Sequence, residues 1–223
     1  MSGMDLYLIA NIITCVGAFA GFIYGAAKFF RPKKAVYAQM ITFSAGCMAF
    51  GRLYQAIRVL TGSEIVNEFH LGVLGVIGTL MFLFSANFGL MDSIVDDGSP
   101  DLRKYRVFPA GASAVAVAVY LIFFFFTDQP LIVKVIELIG SCLIAFASYY
   151  NLKHFIIPDE FGIIRWLRPY NLLALIFEFL CLAEMVAQSR RMAGLVLVIG
   201  ILMGVLMLMI VVAVDRGIKK WSI

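Results

Sequence analysis

Seven apolar runs, each close to the length that crosses a bilayer, constrain this chain more than any other feature. They cover Leu6–Phe29, Val36–Leu60, Phe69–Met91, Val107–Phe126, Leu131–Asn151, Pro169–Gln188 and Ala193–Val214. A hydrocarbon core takes about 20 apolar residues per helix. It offers no water to exposed backbone groups, so each run must bond its own amides and carbonyls as a helix. Composition removes the soluble alternative. The chain is 62% hydrophobic and 14% charged, where a soluble domain carries about 25% charged residues. The expected fold class is all-α: a polytopic integral membrane protein with seven transmembrane helices in a single domain over residues 1–223.

Orientation follows from where lysine and arginine collect. One side of the expected bundle gathers Lys28, Arg31, Lys33, Lys34, Arg103, Lys104, Arg106, Lys153, Arg165, Arg168, Arg216, Lys219 and Lys220. The other holds Lys134, Arg190 and Arg191, with Arg58 at a helix end. The first side is read as cytoplasmic, which places the N-terminus outside and the C-terminus inside. The opening residues, Met1–Asp5, lack a basic n-region, so the first run reads as a retained helix. Short loops and the lack of room for a soluble domain point to a plasma or bacterial-type inner membrane. The net charge of +4 is spread over loop ends. It therefore reads as membrane orientation, with the lipid bilayer as partner and no nucleic acid.

Small residues mark close helix contacts. Gly17, Gly21 and Gly25 form a GxxxGxxxG stripe extended by Thr14 and Ala18, and Gly200 and Gly204 form a shorter pair in the last run. The first stripe admits two partners, a neighbouring helix of the same chain or a second copy in a homo-oligomer. Cys15, Cys47, Cys142 and Cys181 all lie in apolar runs and none forms CxxC, so neither a redox pair nor a zinc ribbon is expected. His70 and His154 fall at opposite membrane faces and cannot share a metal or a haem. No metal or cofactor is therefore expected.

The residues that could carry chemistry are the charges inside the runs. An arginine at a helix centre costs roughly 2.5–3.5 kcal/mol on insertion scales, so it is kept for a partner or a task. On a 100° wheel Ser44, Cys47, Gly51, Gln55 and Arg58 share one face of the second helix, with Arg52 at its edge. Matching residue levels along the helices pairs Arg52 with Glu178 and Arg58 with Glu184. Gln188 lies one turn beyond Glu184, and Glu68, His70 and Glu137 lie at the same outer level. The candidate ligand-binding residues are Arg52, Gln55, Arg58, Glu178, Glu184, Tyr54 and His70. An arginine fork suits carboxylate or phosphate, so the expected ligand is small and polar or anionic, held in an outward-facing cavity. A bare structural pair between Arg52 and Glu178 is the competing reading. Elsewhere, Lys134 and Glu137 are spaced to pair on a helix surface. The segment 91–106 has an acidic first half and a basic second half, and Trp166 between Arg165 and Arg168 suggests a stretch along the inner headgroups.

These residues point to a sensor, receptor or transporter more than to an enzyme. A lipid-modifying membrane enzyme would use Glu178 or Glu184 as base and His70 as acid, but no serine or cysteine nucleophile stands beside a base in sequence. A structural subunit acting through the glycine stripe is the third reading. Seven helices with an outside N-terminus also describe microbial rhodopsins and G-protein-coupled receptors, yet the last run holds no lysine for a retinal Schiff base. Helix count alone carries no function.

Overall fold

A computed structural model describes residues 3–31, 35–62, 70–88, 90–158 and 162–221. Pro32, expected to separate the first two helices, and Glu68 lie outside the described residues. The chain is all-helical, without a strand among the described residues. Its elements are α1 Gly3–Phe29, α2 Val36–Leu60, α3 Leu71–Asn87, α4 Leu90–Val95, a short 3-10 turn Pro100–Leu102, α5 Arg103–Phe125, α6 Leu131–Ile156, α7 Ile163–Ser189 and α8 Ala193–Trp221. Among the described residues six spans are long and apolar enough to cross a membrane, with α3 and α4 together forming one of them. The 25-residue α2 is long enough to be a seventh, but its polar stripe dilutes its apolarity.

Neighbouring helices close a ring in the order α1, α2, α3, α6, α7, α8, with α2 also touching α8 across the middle. Helix α5 packs chiefly on α6 and stands outside the ring. Its far face is apolar and bare, with Phe125 76% exposed, as suits a lipid-facing surface. The start of α1 and α8, the ends of α2, α5 and α7, and the start of α3 and α6 share one end of the bundle, called the amino end below. The opposite, carboxyl end holds the last turn of α8.

The glycine stripe is filled from within the chain. A Cβ on Gly17 would collide with the Gly204 backbone of α8, and one on Gly204 would come 2.8 Å from the Ile13 carbonyl oxygen. Thr14 Oγ1 lies 2.8 Å from the carbonyl oxygens of both Ala10 and Gly200, joining the two helices at their closest approach. Gly25 faces Thr42 of α2. A homo-oligomer would have to use another face. Between α2 and α3 the backbones also nearly touch, since a Cβ on Gly51 would come 2.8 Å from the Gly72 carbonyl oxygen.

Helix ends differ from those expected. The sequence places starts at Val107 and Pro169, but α5 begins at Arg103 and α7 at Ile163. Pro109 and Pro169 therefore sit inside their helices. Each stands in the second turn, where its missing N–H removes one early ladder bond and leaves the rest of the helix intact. Trp166 consequently belongs to α7 and packs between cations, 5.5 Å from Arg165 and 4.9 Å from Lys220 of α8. It does not lie in a separate interfacial segment. The last helix runs seven residues past Val214, and Asp215 is held by the Tyr24 hydroxyl (2.8 Å) and the Lys219 ammonium (2.5 Å). The expected third helix breaks after Asn87, where Phe88 turns extended.

Candidate functional site

A semi-enclosed cavity of about 90 Å³ lies near the amino end between α2, α3, α6 and α7. Its polar lining is Arg52 and Gln55 from α2, His70 at the start of α3, Gln129 from the α5–α6 connection, Glu137 from α6, and Glu184 and Gln188 from α7. Valines, isoleucines, Leu80 and Met185 make the opposing wall. That volume has room for several water-sized groups, since one water needs only about 10–15 Å³ of such space. Apolar walls with a few convergent polar groups are the usual make-up of a small-molecule site.

Arg52 is 2% exposed, and its environment explains how an arginine is tolerated there. Its guanidinium forks onto Glu184: Nη1 donates to Oε1 at 2.6 Å, and Nη2 donates to Oε2. Nη1 also reaches Gln55 Oε1 at 3.1 Å and Asn11 Oδ1 of α1 at 3.3 Å. The remaining donors face sulfur, Nε to Met48 at 3.4 Å and Nη2 to Met203 of α8 at 3.9 Å. A guanidinium has five N–H groups, and partners stand at all three nitrogens. Gln188 Nε2 donates to Glu184 Oε1 at 3.2 Å and orients it further. The pair ties α1, α2, α7 and α8 together and leaves no donor of Arg52 for a bound anion.

The expected partner of Arg52 is thus replaced by another glutamate. Arg52 meets Glu184, not Glu178. Arg58 is half-buried and lines no part of the cavity, and Tyr54 turns to the outside of α2, its ring stacked 6.2 Å from that of His70. Gln55, Glu184 and His70 do line the cavity, each 5% exposed. Glu178 belongs to a separate polar core deeper in the bundle. It is 0% exposed and accepts from Ser148 Oγ (2.9 Å) and Asn151 Nδ2 (2.6 Å) of α6. Asn87 Nδ2 donates to Asn151 Oδ1 at 2.6 Å and to Asn171 Oδ1 at 3.3 Å, which links α3, α6 and α7. Glu178 meets no cation among the described residues.

Three contributors lie outside the candidate ligand-binding set, the sequence placing Glu137 only at its outer level. Gln129 and Glu137 form one edge of the cavity: Gln129 Nε2 donates to Glu137 Oε1, and the Tyr120 hydroxyl of α5 lies 3.1 Å from Glu137 Oε2. Lys134 does not pair with Glu137 but lies over the Phe124 ring at 5.4 Å. The third is Asn11, whose signal was available as the one side-chain amide in a 27-residue apolar helix. At the carboxyl end, Lys153 is buried between Asp92 and Asp96 at 2.7 Å each, with His154 Nε2 3.1 Å from Asp92. Arg106 reaches Asp96 at 3.3 Å. The segment 91–106 therefore pairs its acidic first half with its basic second half through Asp96 and Arg106, and also clamps onto α6.

No protein-family model, curated protein or solved structure matches the chain.

Proposed function

We propose that this multi-pass membrane protein binds a small polar ligand in the cavity near its amino end, as a sensor or transporter. The observation that carries the reading is one cavity of about 90 Å³ that joins an apolar wall to the buried side chains of Gln55, His70 and Gln129. Arg52 and Glu184 shape the site by holding four helices together and do not themselves need to touch the ligand. The lysine and arginine asymmetry supports an amino end outside the membrane, so the cavity would be entered from that side. The lipid-enzyme reading loses support because both Glu184 oxygens are engaged by Arg52 and Glu178 lies outside the cavity.

The test fills the cavity. Gly140 lines it, and a Cβ there would make only ordinary contact, 3.7 Å from Met185 Cε. Gly140→Leu is expected to fold and to abolish the thermal stabilisation that small polar solutes confer on the parent protein in detergent. Solutes that stabilise both proteins equally would show that the cavity is not the binding site. Flux into proteoliposomes then separates transport from sensing.

A further inference from the structure

We infer that the ligand is a small organic cation, a short alkylammonium in chemical class, seated against the Glu137 carboxylate; this rests on the proposed cavity function. The argument is a charge count over the described lining. Arg52 and Glu184 cancel, donor for acceptor, and every nitrogen of Arg52 already has a partner. Apart from the imidazole of His70, Glu137 is what remains, a carboxylate on the cavity wall with no lysine or arginine beside it among the described residues. Its nearest basic neighbour in sequence, Lys134, makes no ion pair among the described residues and lies on Phe124.

The partners of Glu137 are neutral donors, and they aim it. Gln129 Nε2 and the Tyr120 hydroxyl each stand 3.1 Å from one of its oxygens. Thr127 Oγ1 lies 3.4 Å from Gln129 Oε1 and holds that amide in turn. A carboxylate has about four lone-pair sites, so two acceptor positions remain after these contacts. Its charge is unbalanced in a site walled by aliphatic side chains, where a cation gains far more than in water. An anion would meet Glu137 with no free guanidinium to offset it. The volume of about 90 Å³ limits the ligand to a few heavy atoms. Valine and isoleucine on α3 and α6 suit a short alkyl chain behind an ammonium head.

The experiment follows the melting temperature of the purified full chain in detergent, at constant ionic strength balanced with N-methylglucamine chloride. Three probes of similar size are titrated: ethylammonium, acetamide and acetate. Ethylammonium is expected to half-saturate at a concentration about tenfold or more below acetamide, with acetate inert. Glu137→Gln should remove that tenfold advantage and leave acetamide unchanged. If acetamide or acetate stabilises and ethylammonium does not, the charge assignment is overturned while the cavity function stands. If no probe stabilises, both fall. Ethylammonium binding unaltered by Glu137→Gln would overturn the role of Glu137; the probe comparison on the parent protein holds even if that variant does not fold.

Discussion

Replacing Arg52 by alanine removes a guanidinium that meets six acceptors on four helices and leaves Glu184, 5% exposed, without its counter-ion. Breaking a buried pair from one side costs about 3–5 kcal/mol, because the surviving charge stays desolvated. Removing both partners removes that penalty, so Arg52→Met with Glu184→Leu should recover most of the loss. The expected coupling is several kcal/mol, well above the about 0.5 kcal/mol within which independent sites add. The assay is a double-mutant cycle on unfolding free energy, by denaturant titration in mixed micelles. A parallel cycle of Arg52→Met with Glu178→Gln should be additive within about 0.5 kcal/mol, since the two share no partner. The reasoning is refuted if Arg52→Ala costs under about 1 kcal/mol, or if the strong coupling goes to Glu178.

Other changes test other parts of the fold. Gly17→Leu should cost at least about 1–3 kcal/mol by forcing α1 from α8, whereas Gly111→Ala, with open space around it, should be neutral or gain up to about 1 kcal/mol; melting of both variants decides. Lys153→Met should lower stability by about 1–3 kcal/mol and speed amide exchange across 92–106, because it leaves Asp92 to His154 alone and Asp96 to Arg106 alone. Unchanged exchange would mean that the clamp on α6 is not what holds that segment. Asn151→Leu should cost about 1–3 kcal/mol by leaving Asn87 and Glu178 without their shared partner, as read from the same denaturant titration.

The helices were legible because apolar run length and bilayer thickness are the same physical constraint. The ends were not. Polar residues such as Asp215 and Lys219 stay helical when neighbours satisfy them, and a proline in the second turn does not stop a helix. Arg52 could be singled out because its cost is intrinsic to its type, but its partner could not be named from level alone. Glu178 and Glu184 are six residues apart, about 9 Å of rise and 240° of rotation. The rotation decides: it turns Glu184 toward α2 and Glu178 toward α6, and it is set by the packing of α7 on α6 and α8. The glycine stripe announced a close approach, while the choice of α8 as its main partner depended on ring order. Glu137 could be placed at the outer level of the site, but its meeting with Gln129 could not, since that requires knowing how the connection from α5 returns to α6.

The most direct test is an experimental density map of the full chain in a lipid nanodisc, inspected between α2, α3, α6 and α7. The expected map has Arg52 forked onto Glu184 and ordered non-protein density within hydrogen-bond distance of Gln129 and Glu137. A cavity closed by side chains and dry, or density bound directly to a freed Arg52 guanidinium, would contradict it.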